Sequence, residues 1–159
     1  MNKEVTRVLF VCLGNICRSP LAEGAFQMHV KARGLETEIQ TDSAGTSGYH
    51  VGEAPDKRSQ AVAAKHGVDI SGQRSRQFIA EDLTDFHYVI AMDQANLDDI
   101  HQLKTAALHA STSLMLSELA EGPREVPDPY YGGTQGFDLV WSMVDDACAA
   151  LLDRIVRER

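Results

Sequence analysis

Basic residues are scarce in this chain of 159 residues: 15 Lys and Arg stand against 23 Asp and Glu, for a formal net charge of −8. That deficit argues against sequence-independent binding to nucleic acid or to an anionic membrane, both of which need a basic face. A local cationic site for one phosphate group remains open. Long apolar runs are missing too. None approaches the roughly 20 residues that cross a bilayer. The polar start Met1-Asn2-Lys3-Glu4 leads only into the short run Val8 to Val11, which is not the pattern of a secretory signal. Cytoplasm is therefore the expected compartment. Cysteine is limited to Cys12, Cys17 and Cys148, an odd count too small for a disulfide framework, and no Cys or His spacing matches a zinc site. Linkers, internal repeats and low-complexity segments are absent as well, so one domain is expected over residues 1–159.

What is present is an alternation of short β-branched runs with helical periodicity, the signature of βαβ units and a parallel sheet. Val8 to Val11 is a continuous apolar run, as in a strand buried on both faces. Pro20 suits the first turn of the helix that follows, with Ala22, Phe26 and Val30 on its buried stripe and Gly34 at its end. Glu38 to Thr41 reads as a second strand and Ser43 to Pro55 as a surface loop. Asp56 caps a helix running to about His66. Tyr88 to Met92 is a third strand, before a helix with Leu97, Ile100 and Leu103 facing inward; Ser113 to Leu116 is a fourth. Glu121 to Gly136 reads as one long ordered loop. Phe137, Val140, Trp141, Val144, Cys148, Leu151, Leu152 and Ile155 make one helical face, on which Cys148 is a core thiol. The expected fold is a single three-layer, doubly wound α/β domain with a four-stranded parallel sheet.

Chemistry concentrates in Cys12-Leu13-Gly14-Asn15-Ile16-Cys17-Arg18-Ser19-Pro20, between the first strand and its helix. Ligands of open α/β sheets bind at that carboxyl edge, where a helix start offers free N–H groups and the positive end of its dipole. Gly14 takes positive φ freely and Asn15 tolerates the left-handed region, so the loop can curl into an anion nest. Nest, dipole and Arg18 together favour the thiolate of Cys12. The Arg18 fork matches two phosphate oxygens, and a thiolate in the same cup suits attack on phosphorus. Ser19 can donate a hydrogen bond to the sulfur.

A second segment, Val126-Pro127-Asp128-Pro129-Tyr130-Tyr131, supplies an acid. Expelling a phenolate or alkoxide from phosphorus calls for proton donation by a positioned carboxylic acid. Two prolines restrict the backbone on either side of Asp128, and two tyrosines can wall a narrow cleft for an aromatic ring. Taken alone, the segment equally describes an exposed turn with a solvated Asp.

These two segments, with Asp42-Ser43-Ala44-Gly45-Thr46-Ser47-Gly48-Tyr49 and Ala91-Met92-Asp93, resemble the low-molecular-weight protein tyrosine phosphatases, and the resemblance spans essentially the whole chain. It implies a phosphocysteine intermediate on Cys12, with the N–H groups from Leu13 to Arg18 and the Arg18 guanidinium holding the phosphoryl oxygens. Asp128 would protonate the leaving phenol and then activate water, and Ser19 would stabilise the leaving thiolate. Asn15 would hold the loop, supported by Ser43 and His66, while Asp93 would orient Arg18. Leu13, Ile16, Tyr49, Tyr130 and Tyr131 would wall the substrate cleft. Tyrosine-phosphorylated proteins are the implied partners, inorganic phosphate the product, and no metal or organic cofactor is implied.

Some readings stay open at the level of sequence. His66 fits a helix-end histidine as well as a support residue, and Tyr49 fits an ordinary loop tyrosine. Cys17 can fill space beneath the loop, or, as the resemblance suggests, pair with Cys12 under oxidation. Thiol-dependent arsenate reductases relay electrons through cysteines in mid-chain, and here none lies between Arg18 and Ala147. The related protein-arginine phosphatases carry threonine where this chain has Ile16. A flavodoxin-like module that binds a phosphorylated ligand without turnover would not need nucleophile, clamp and acid together.

Overall fold

Thr6–Cys12 forms the first strand (β1) because its residues alternate between two buried faces. Val8, Phe10 and Cys12 join one apolar cluster, Leu9 and Val11 the other. The computed structural model describes residues 4–103 and 110–159; residues 1–3 of the polar start lie outside them. Around β1 the chain lays Ile39–Gly45 (β2), Tyr88–Ala91 (β3) and Ser111–Leu114 (β4) in the order β2-β1-β3-β4. All neighbours pair parallel. The order reverses at β1, so the expected doubly wound sheet is present, with its switch point at the carboxyl end of that strand.

One face carries Arg18–Ala32 (α1), Lys57–Lys65 (α2) and Thr134–Glu158 (α5) over the larger cluster, which includes Phe26, Trp141 and Cys148. The other carries Asp82–Asp85 (α3) and Gln94–Gln102 (α4) over Leu9, Val11, Val89 and Ile100. Asp56 caps α2 by accepting from Arg58 N at 2.8 Å, and Gly34 leaves α1 at φ +68°. Among the described residues no helix is long and apolar enough to cross a membrane.

Several boundaries differ from expectation. β2 runs on to Gly45, so Ser43 is a buried strand residue and not part of a loop. Its extension is held by β1 and by the segment after α2, through Gly45 N to Arg76 O at 2.9 Å and Phe78 N to Gly45 O at 2.7 Å. β4 begins at Ser111 and ends at Leu114, and Met115–Glu118 turns as a 3-10 helix. Ser111 pairs with the first residue of β3, which fixes the register. Leu103 is exposed, because α4 ends before its stripe completes another turn.

Candidate active site

Cys12 ends β1 with its sulfur on the α1 side of the sheet, only 2 % exposed. The five carbonyls of Cys12, Leu13, Gly14, Ile16 and Cys17 all turn outward to fixed donors. These are Thr46 N, Ser47 N, Ser75 Oγ, Asp56 N and Ser59 Oγ, at 2.8–3.3 Å. The carbonyls are thereby engaged outside the loop. The N–H groups of Leu13, Gly14, Ile16 and Cys17 meet no acceptor among the described residues, and Asn15 N donates to Cys12 Sγ at 3.3 Å.

The curl depends on Asn15 at φ +58°, left-handed backbone that costs a non-glycine residue about 1–2 kcal/mol. Its buried side chain compensates. Arg76 N donates to Oδ1 at 3.0 Å, which fixes the amide so that Nδ2 donates to Ser19 Oγ at 2.8 Å and Ser43 Oγ at 2.9 Å. Because each hydroxyl accepts from Asn15, each has its own proton free. Ser43 donates to Glu23 Oε1 at 2.8 Å, and Ser19 directs its proton to Cys12 Sγ at 3.0 Å. A buried chain thus runs from Glu23 to the Cys12 sulfur. Burial is the main cause that pushes the Glu23 carboxyl from 4.5 to about 7, against the hydrogen bond from Ser43. Beneath the loop, a Cβ on Gly45 would stand 2.8 Å from Leu13 O, so only glycine permits this approach of β2.

Arg18 is the first residue of α1 and 3 % exposed. Its NH1 donates to Asp93 Oδ2 at 2.6 Å and to Val126 O at 3.0 Å. The other Asp93 oxygen caps α4 through Asn96 N at 2.8 Å, within a capping box. One carboxylate therefore ties the helix after β3 to the guanidinium after β1. Arg18 NH2 lies 3.7 Å from Asp128 Oδ2, and Asp128 Oδ1 accepts from Tyr130 N at 3.1 Å. Asp128 is thus beside the anion cup but 40 % exposed, on its open side.

Cys12, Leu13, Gly14, Ile16, Cys17, Arg18, Tyr49, His50, Asp128, Tyr130 and Tyr131 line one cleft of about 390 Å³, with Ser47. Tyr131 is 94 % exposed at the rim and packs edge-on against Tyr130, centroids 4.9 Å apart. Tyr49 sits edge-on to His50, whose ring packs on Gly14 and whose Nδ1 lies 2.8 Å from Glu53 Oε2. A larger shallow depression of about 670 Å³ along α2 holds no nucleophile. Burial, with Asp56 next, pushes the Cys17 thiol up to about 12.

His66 does not join the loop, in contrast to expectation. It caps the C-terminus of α2 on the α5 side and stacks on Trp141, centroids 4.7 Å and planes 12° apart. Asn15 is braced by Arg76 N instead, and Ser43 donates to Glu23. That residue had a signal in the sequence, a carboxylate inside the apolar stripe of α1. Arg76 and Ser75 had none, because they lie in a segment without periodicity and act through a backbone N–H and one hydroxyl. Asp56 was legible only as a cap, and Arg58 was not legible at all.

Residues 7–159 match the sequence model of the family described as low molecular weight phosphotyrosine protein phosphatase. The human low molecular weight phosphotyrosine protein phosphatase is 38 % identical over 159 residues, covering 97 % of this chain and 99 % of its own. The crystal structure of YfkJ from Bacillus subtilis superposes with a TM-score of 0.93 at 36 % identity, covering 100 % and 99 %. The crystal structure of an arginine phosphatase from Drosophila superposes at 0.88 with 31 % identity, covering 93 % and 96 %. By sequence over nearly its whole length, and by fold, this chain belongs to the low molecular weight phosphotyrosine protein phosphatase family.

Proposed function

We propose that this protein hydrolyses phosphotyrosine in proteins through a phosphocysteine intermediate on Cys12. The observation that carries the reading is the meeting of Cys12, Arg18 and Asp128 in one cleft, with Asn15 N donating to the Cys12 sulfur. The phosphoryl group enters with its oxygens on the amides and the Arg18 fork. The Cys12 sulfur forms a bond to phosphorus as the bond to the phenol oxygen breaks, and Asp128 gives its proton to that oxygen. Asp128, now a carboxylate, takes a proton from water as the water oxygen attacks phosphorus. The sulfur leaves with its electron pair, stabilised by Ser19 and Asn15 N, and inorganic phosphate departs.

Depth supports a phenol. The sulfur lies at the floor, while Tyr49 and Tyr131 stand exposed at the mouth. A phosphoserine side chain is too short to reach from a peptide held at that rim. Phosphoarginine is long enough, so the choice falls to the apolar wall of Ile16. The fold cannot make that choice, since an arginine phosphatase shares it. Cys17 adds redox protection: peroxide oxidises Cys12 to the sulfenic acid, and the Cys17 thiol displaces water from it to form a disulfide. An unblocked cysteine nucleophile fits a reducing cytoplasm as the working compartment.

The test is steady-state hydrolysis of phosphotyrosine, phosphoserine and phosphoarginine peptides by wild type and Asp128→Ala. Phosphotyrosine should lead phosphoserine by at least about three orders of magnitude in kcat/KM, or roughly 4 kcal/mol. Asp128→Ala should lower kcat/KM by about two to four orders of magnitude for a poor leaving group, and less for a good one. Phosphoarginine cleaved as fast as phosphotyrosine would overturn the substrate; equal losses across leaving groups would overturn the acid.

A further inference from the structure

Asp128 owes little of its placement to its own side chain. Its carboxylate touches Tyr130 N two residues on and faces Arg18 at 3.7 Å. The loop that carries it is held from outside. Arg58, the second residue of α2, donates through NH2 to Tyr130 O at 3.0 Å and through NH1 to Gly132 O at 3.3 Å. The guanidinium is itself fixed. Asp56 takes Nε at 3.0 Å and NH2 at 2.9 Å, and the plane lies over Phe137 at 4.5 Å and Tyr130 at 5.7 Å. Asp56 in turn donates its backbone N–H to Ile16 O at 2.8 Å.

We propose that Arg58 is a positioning residue that latches the Asp128 loop to the nucleophile loop, and so sets the distance between acid and sulfur. The physical case rests on three features. A planar fork can hold two backbone carbonyls and a carboxylate at once, which an ammonium cannot. The two carbonyls are those of Tyr130 and Gly132, so Pro129 and the tyrosine wall are immobilised together with Asp128. The anchor of the fork shares a residue, Asp56, with the outward carbonyl shell of the anion cup, so both loops answer to one rigid pair. Nothing in this arrangement touches the phosphoryl group. Arg58 therefore acts on proton transfer through Asp128, and not on anion binding.

The inference rests on Asp128 being the acid, and the experiment separates the two. Phenyl phosphate, a poor leaving group, and 4-nitrophenyl phosphate, a good one, are hydrolysed by wild type, Arg58→Ala, Asp128→Ala and the double variant. Vanadate inhibition and melting temperature are recorded alongside. Misplacement of a catalytic group by about 1 Å costs up to about 100-fold, so Arg58→Ala should lower kcat/KM on phenyl phosphate by about 10- to 100-fold. The loss on 4-nitrophenyl phosphate should be several times smaller, with vanadate inhibition unchanged. In the Asp128→Ala background the same substitution should do nothing further, because there is no acid left to misplace. Arg58→Lys keeps the charge beside Asp56 and the stem over Phe137; it should melt like wild type yet show the same selective loss. Equal losses from Arg58→Ala with and without Asp128, or wild-type turnover of phenyl phosphate by Arg58→Lys, would refute the latch alone. Leaving-group-independent losses in Asp128→Ala itself would remove the acid, and the latch with it.

Discussion

Glu23 offers a quantitative test of the buried chain beneath Cys12. The residue is 7 % exposed, and burial raises its carboxyl from 4.5 to about 7. Between those values the folded protein keeps a proton that the unfolded chain has released. The unfolded state thus binds fewer protons, and stability falls as pH rises. The contribution is complete below pH 4.5 and gone above pH 7. At about 1.4 kcal/mol per pH decade it totals about 3 kcal/mol, of which about 2.5 kcal/mol lies between pH 5 and pH 8. Glu23→Gln is neutral throughout and keeps an Oε1 to accept from Ser43. Relative to wild type, the variant should therefore gain on going from pH 5 to pH 8. At about 2–4 °C per kcal/mol for a domain of this size, the difference in melting temperature should move by about 5–10 °C in its favour. Differential scanning calorimetry of both proteins at the two pH values reads this directly, since every other titrating group cancels in the comparison. A difference that stays constant between pH 5 and pH 8 would refute the argument, because a carboxyl that ionises normally leaves no such gap.

The loop itself can be tested at Asn15. Asn15→Ala strains the backbone by about 1 kcal/mol and strips partners from Ser19, Ser43 and Arg76 N. It should cost about 3 kcal/mol in urea unfolding and most of the turnover. Asn15→Gly removes the strain but not the lost hydrogen bonds, and should remain impaired; full activity in that variant would mean that only the φ angle matters. For Cys17, brief peroxide should inactivate wild type reversibly. In Cys17→Ala the loss should be largely permanent as Cys12 passes to the sulfinic acid. Since the Cys17 thiol is pushed up to about 12, disulfide closure should accelerate with pH, and a pH-independent rate by mass spectrometry would count against direct attack by Cys17.

Local pattern determined much of this protein. Alternation along β1 and the stripe of α5 follow from side-chain period alone, so the layered parallel sheet was legible before any coordinates. Cys12, Arg18 and Asn15 were legible too, because strand, turn and helix start are contiguous and their chemistry is local. Asp128 was readable as a candidate acid from its two flanking prolines together with the family resemblance.

Tertiary structure decided whatever depends on elements far apart in sequence. That Asp93 caps α4 with one oxygen and holds Arg18 with the other requires β1 and β3 to be neighbours. His66 and Glu23 are the clearest pair. A helix-end histidine can face either neighbour, and packing against α5 sent it to Trp141, far from the place assigned to it. Glu23 reads as an interruption in an apolar stripe until the extension of β2 brings Ser43 over it. Arg58 and the backbone of Arg76 act on carbonyls and amide oxygens, and backbone atoms leave no mark on the identity of the residues that carry them. Sequence therefore determined the candidate groups for chemistry, while packing between distant segments decided which groups hold them in place.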